Sequence, residues 1–194
     1  HPGGFNFADN AQLTTIGEES FSGCAVLKSI AIPEGVHTIK DKAFYGCGST
    51  TSVYVPSSVT ELGESVFSLC GGVLTIDADI ESDSKGKFAG SKFTKIIIGN
   101  GVGHIGDNAF AGCSTIESVE FGSGVTKIGK SAFADCSSLA AFTLPEGLMT
   151  IGDGAFGGCA IAELSIPSTV TEIGAGAFKG CGVIESLHFA EGSQ

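Results

Sequence analysis

Seven cysteines, four histidines and a short run of alternating acids are the side chains in this 194-residue sequence best suited to chemistry. Thiolates and imidazoles ligate zinc or attack carbonyls, and clustered carboxylates hold hard cations. Spacing decides which of these is available. A zinc site needs cysteines two to four residues apart, and no such pair occurs among Cys24, Cys47, Cys70, Cys113, Cys136, Cys159 and Cys181. Each instead follows a phenylalanine by three residues: Phe21, Phe44, Phe67, Phe110, Phe133, Phe156 and Phe178. Phe88 makes an eighth copy, with Ser91 in the place of the cysteine. A slot that accepts Cys or Ser wants a small group with a donor. Buried free thiols bonded to backbone carbonyls are therefore expected. Stacked copies of the slot bring their Cα atoms to about 5 Å, within bridging range. Parallel Cβ vectors suit the disulfide dihedral badly, however, and seven is an odd number.

The histidines form no constellation either. His37 and His104 fall in variable outward slots, His188 faces outward from the last strand, and His1 is terminal. With every cysteine committed to an inward column, no nucleophile and base are placed together. No glycine-rich phosphate cradle follows a strand, since Gly122-Ser123-Gly124 belongs to a repeat corner. The chain is read as no enzyme, with no cofactor. The acids Asp77, Asp79, Glu81 and Asp83 recur at every second position, so an extended backbone would put all four on one face. Ca²⁺ favours such oxygen clusters, but the EF-hand pattern fails because its sixth position, counted from Asp79, is Ser84 rather than glycine. Two readings stand: a weak cation site, or a solvated loop where one rung is shortened.

The elements that position these residues repeat with the phenylalanines, at steps of 23, 23, 21, 22, 23, 23 and 22 residues. Each unit carries an L-x-x-I-x-I-P stretch, as in Leu27 to Pro33 and Leu139 to Pro145, then V-x-x-I-G, as in Val125 to Gly129 and Val170 to Gly174. The I-x-I triplet alternates with period two and reads as a short strand, which the proline stops. The glycine after V-x-x-I suits a sharp corner at positive φ. The Phe-x-x-Cys spacing suits a short helical or 3-10 corner. No unit buries its apolar set alone, whereas stacked units do so along one parallel sheet. Eight rungs, with a leading strand at Phe5-Asn6-Phe7, make a rod on the order of 40 Å long. The fourth unit is irregular: between residues 77 and 92 it loses its proline, its V-x-x-I-G and its cysteine.

This pattern resembles the BspA-type leucine-rich repeats of bacterial and protist surface proteins, over nearly the whole chain. The resemblance implies a leucine-rich-repeat solenoid of about eight 22–23-residue turns, right-handed and α/β in class, forming a single domain over residues 1–194. It also implies a secreted or cell-surface protein that adheres to host or cellular proteins. His1 at the start, without an initiator methionine, and an uncapped strand at the end are expected of a fragment of a longer chain.

Composition narrows the partner. A net charge of −11 with no basic cluster disfavours nucleic acid and anionic membranes. No apolar run approaches the roughly 18–20 residues of a membrane helix. Because inward slots are fixed by packing, recognition falls to outward ones. The middle residues of the triplets form the expected column: Asn6, Ala31, Tyr54, Asp77, Ile97, Glu120, Thr143, Ser165 and His188. Lys28, Thr51, Thr94, Lys95, Glu117, Glu163 and Glu185 flank it. Of these, Tyr54, Asp77, Ile97, Glu120, Thr143 and His188 are the candidates for partner contact. Tyr54 beside Ile97 makes an apolar anchor, and Asp77 and Glu120 set the charge preference. The alternative is a stalk repeat that spaces other domains and has no ligand of its own. A contiguous apolar patch around Tyr54 and Ile97 favours recognition; a uniformly polar outward face favours the stalk.

Overall fold

Alternating apolar residues in each repeat produce two short strands per turn, and successive turns pair like with like. The computed structural model describes residues 4–5, 12–80 and 86–192. The first strands of the turns are β1 (Gly4–Phe5), β3 (Ser29–Ala31), β5 (Ser52–Val55), β7 (Gly71–Ile76), β8 (Lys92–Ile98), β10 (Ser118–Glu120), β12 (Ala141–Thr143), β14 (Glu163–Ile166) and β16 (Ser186–Phe189). The V-x-x-I segments supply β2 (Thr15–Ile16), β4 (Thr38–Ile39), β6 (Glu61–Leu62), β9 (His104–Ile105), β11 (Lys127–Ile128), β13 (Thr150–Ile151) and β15 (Glu172–Ile173). All pairings are parallel. The first strands form one seven-stranded sheet in the order β1-β3-β5-β7-β8-β10-β12, then a separate pair, β14-β16. The second strands form β2-β4-β6 and β9-β11-β13-β15. Register follows the repeat, so Ile30, Val53, Leu74, Ile96, Val119 and Phe142 lie over one another. Of the leading strand, Asn6 and Phe7 lie outside the described residues.

The phenylalanines stack face to face from Phe21 to Phe178, with ring centroids 4.8 to 6.3 Å apart and planes within 10° of parallel. These separations fall in the favourable range for offset aromatic pairs. Eight rings span seven steps and the nine first strands span eight, so the solenoid has seven to eight turns against the expected eight. Beside the rings runs the thiol column. The Sγ of Cys47, Cys70, Cys113, Cys136, Cys159 and Cys181 each donates to the carbonyl of the phenylalanine one rung earlier, at 3.1 to 3.3 Å. These six are buried free thiols, as expected of the slot, whereas Cys24 in the first copy departs from that expectation and is exposed. Burial pushes Cys70 and Cys159 up to about 12 and Cys113 up to about 11.

Two local expectations are corrected. The Phe-x-x-Cys corners are hydrogen-bonded turns, and no helix occurs among the described residues. The reason is a pair of left-handed residues around each phenylalanine. Two positions before it stand Glu19, Lys42, Ser65, Gly86, Asn108, Ser131, Gly154 and Gly176, all at positive φ. Two positions after it stand Gly23, Gly46, Leu69, Gly90, Gly112, Asp135, Gly158 and Gly180, also at positive φ. A right-handed helix cannot run through either position. Conversely, the glycine that ends V-x-x-I-G is not at positive φ in Gly63, Gly129 or Gly174. Its role is close approach: a Cβ on any of them would collide with the backbone of the preceding rung at Asp41, Asp107 or Asp153. The carboxylates of those aspartates accept the next rung's N–H from Glu64, Lys130 and Ala175, at 2.7 to 2.9 Å.

In the irregular unit Asp77 takes the position of Pro56, because Val55 pairs with Ile76 and the Asp77 N–H donates to the Val55 carbonyl. Ile80 then bridges Ile105, so this turn reaches its second side after four residues from Ile76, where Ile98 to Ile105 takes seven. Ala78 and Ile80 are buried and Asp77 and Asp79 face the other way. Lys87 closes the gap left between β6 and β9 by donating to the Leu62 carbonyl at 2.8 Å.

Candidate recognition surface

The outer face of the seven-stranded sheet is the broad exposed surface built from regular backbone. Its column, read from the pairing, runs Ala31, Tyr54, Thr75, Ile97, Glu120 and Thr143. Thr75, not Asp77, holds the third place. The unit has lost two residues between Cys70 and the strand, so every strand residue stands two positions earlier than the repeat count implies. Tyr54 and Ile97 consequently lie two rungs apart with Thr75 between them, roughly 9–10 Å rather than side by side.

Asp77 nevertheless reaches the column from its edge. The Tyr54 hydroxyl donates to Asp77 Oδ2 at 2.9 Å, with Glu34 Oε1 on its other side at 3.5 Å. This bond holds a half-exposed aromatic ring in one orientation. Burial, reinforced by Asp77 and Glu34, pushes the phenol up to about 12, so Tyr54 stays neutral. Ile97 is half-buried, and Glu120 and Thr143 are exposed. Lys95 pairs with Glu120 across the rungs. Ser165 and His188 are exposed and paired with each other on β14 and β16, in the separate second sheet. Asn6 lies outside the described residues.

Of the four acids weighed as a cation site, Glu81 and Asp83 lie outside the described residues. The other two are engaged separately: Asp77 accepts from Tyr54, and Asp79 accepts the Gly103 N–H at 2.9 Å, with His104 Nδ1 at 3.8 Å. No group of three or more His, Cys, Asp or Glu is arranged to hold a metal among the described residues. His37 and His104 sit in or beside the second strands, off the seven-stranded sheet. No described helix is long and apolar enough to cross a membrane.

One feature of this surface escaped sequence reasoning. The sheet stops between β12 and β14, leaving an open groove of about 710 Å³ lined by Glu120, Phe121, Ala141, Phe142, Ala162 and Glu163. The sequence carries a partial signal in Phe142, which stands where the other rungs of the sheet have a branched aliphatic residue; the five-residue step from Cys159 to Leu164 is shared with Ser91 to Ile96, whose strand pairs normally.

The comparisons agree with this architecture. Six copies of the BspA type Leucine rich repeat region match, over residues 5–116 and 72–185. No curated protein matches in sequence. Among solved structures, a leucine-rich repeat protein from Bacteroides ovatus is 29% identical with a TM-score of 0.55, the match covering 90% of this chain and 52% of that one. The T. pallidum leucine-rich repeat protein is 26% identical with a TM-score of 0.60, over 91% of this chain and 74% of that one. The pneumococcal vaccine antigen PcpA shares the fold at 24% identity and a TM-score of 0.52, over 93% of this chain and 49% of that one. The chain thus spans about half the length of the Bacteroides ovatus protein. A parallel solenoid with repeating Phe and Cys columns, matched along nearly all its length, places the chain in the BspA-type leucine-rich repeat family.

Proposed function

We propose that this chain is a non-catalytic protein-binding module of a secreted or cell-surface protein, and that it recognises its partner through the outer face of the seven-stranded sheet. The observation that carries this reading is the outward column, where a half-exposed Tyr54, oriented by Asp77, shares one continuous parallel sheet with Ile97, Glu120 and Thr143. An oriented aromatic ring costs little ordering entropy on binding, which suits an anchor. The net charge of −11 favours a partner with a basic patch, such as a host extracellular-matrix or cell-surface protein. Family membership and the likeness to a vaccine antigen support an extracellular setting.

The experiment is surface plasmon resonance of the chain against a panel of matrix and cell-surface proteins, alongside Tyr54→Ala/Glu120→Lys. Saturable binding that weakens at least about tenfold in the variant supports the reading; a loss of that size is about 1.4 kcal/mol. Binding that the variant leaves unchanged refutes the sheet face. No binding by a folded chain to any member transfers the assignment to a stalk repeat.

A further inference from the structure

The break between β12 and β14 is a built slot with two open strand edges. Both ends of it are tied shut. Before the strands, the Ala160 N–H donates to the Leu139 carbonyl at 3.0 Å. Beyond them, the Thr169 hydroxyl donates to the carbonyls of Glu146 and Leu148, both at 2.7 Å. On the far side of the solenoid β13 and β15 pair normally, and Phe133, Phe156 and Phe178 stack at 5.3 and 5.4 Å. The rungs therefore part only on the sheet face. One sequence feature sets this rung apart, since the turn missing after Cys159 is missing as well after Cys70 and Ser91, whose strands pair on both sides. Phe142 stands where the other rungs of this sheet carry Ile30, Val53, Leu74, Ile96 and Val119. Its ring leans into the next rung, stacking on Phe156 at 4.8 Å and meeting Phe121 edge-on at 6.0 Å. It stays half-exposed at the floor of the groove.

Resting on the recognition reading above, we propose that this slot takes an extended peptide segment of alternating basic and apolar residues, which inserts between β12 and β14 and pairs with both edges. The backbone argument comes first. An open edge presents a row of N–H and C=O groups that an added strand satisfies, and here β12 and β14 each lack a partner on the side facing the other. Between its ties the slot accommodates about five residues at roughly 3.3 Å each. Alternate side chains of the guest then face opposite ways. Those pointing in meet Phe142 and Phe121 and must be apolar. Those pointing out lie beside Glu163 and beside Glu120, which also pairs with Lys95, with His188 in the continuation of the groove along β14 and β16. This rim favours lysine or arginine on the guest.

The probe is a labelled, end-blocked heptapeptide alternating lysine and valine, followed by fluorescence anisotropy and by amide hydrogen exchange of the intact chain. Saturable binding is expected, with slowed exchange confined to residues 140–144 and 162–166. Replacing the peptide's lysines with glutamates, or its central residue with proline, should weaken binding by more than about tenfold. Phe142→Val restores the side-chain type of the other rungs and is expected to fold normally and lose the peptide. Glu163→Lys, a surface change, checks the charge argument without touching the floor. The proposal falls if the peptide fails to bind, if the proline peptide binds equally well, or if those amides are already protected in the free chain. Loss of the slot with retained Tyr54-dependent partner binding would overturn this inference alone, whereas peptide binding without any sheet-face partner would overturn the other.

Discussion

The phenylalanine stack makes a graded prediction about stability. Phe110 is fully buried, with its ring 4.8 Å from Phe88 and 5.1 Å from Phe133. Phe110→Ala removes the ring and leaves a cavity whose walls are themselves stacked rings on either side, so collapse is restricted. The cost is roughly 3–5 kcal/mol. Unfolding entropy near 2.1 cal/mol/K per residue amounts to about 0.4 kcal/mol/K for a chain of this length, so Tm should fall by roughly 7–13 °C. Phe178 is packed against one neighbour, Phe156, among the described rings and is only half-buried. Phe178→Ala should cost less than half as much. Urea unfolding followed by circular dichroism, with calorimetry to check that the transition is two-state, measures both. A Phe110→Ala loss below about 1 kcal/mol, or equal losses at the two sites, would refute the reading of the stacked rings as a tightly packed core column.

Four further outcomes are expected. In native protein a thiol reagent at neutral pH should modify exposed Cys24 quickly and the six buried cysteines only after denaturation; rapid modification of all seven would refute the buried column. Because burial raises the folded pKa of these thiols, their contribution to stability is complete below the unfolded value of 9.0 and is lost as pH climbs toward 12, so unfolding midpoints measured across that window should decline. Gly72 has φ +80, and a Cβ there would run into the Thr51 carbonyl at the bulge where β7 and β8 change register, so Gly72→Ala should cost more than about 1 kcal/mol by urea melt, against near-neutrality at exposed Gly101. Asp77→Asn should bring the Tyr54 phenol down from about 12 in a spectrophotometric titration on a Tyr45→Phe background; an unmoved curve would mean that the Tyr54–Asp77 bond does not form in solution.

The repeat, its parallel stacking, the inward phenylalanine column and the thiol slot were all deducible from residue order, because each depends on a period and a side-chain size that every unit states again. The corner geometry is written in the residue order as well. Glycine at Gly23, Gly46, Gly90, Gly112, Gly158 and Gly180 marks the left-handed position directly, yet Phe-x-x-Cys spacing alone suggested a helix. The role of Gly63, Gly129 and Gly174 was open only to the structure, since close approach between rungs involves residues some 22 positions apart.

The recognition surface divides in the same way. That Tyr54, Ile97, Glu120 and Thr143 face outward follows from strand alternation within each rung, which is a local property. That Thr75 rather than Asp77 joins them follows from how β7 pairs with β5 and β8, and a shortened unit hides its register from a count of residues. The slot between β12 and β14 depends on both. One oversized side chain at Phe142 is visible in the sequence, but a strand either pairs or parts according to the energy of the whole interface between two rungs. Local order sets what each rung looks like; only the stack decides which neighbouring rungs close on each other, because backbone pairing is a contest among residues a full turn apart.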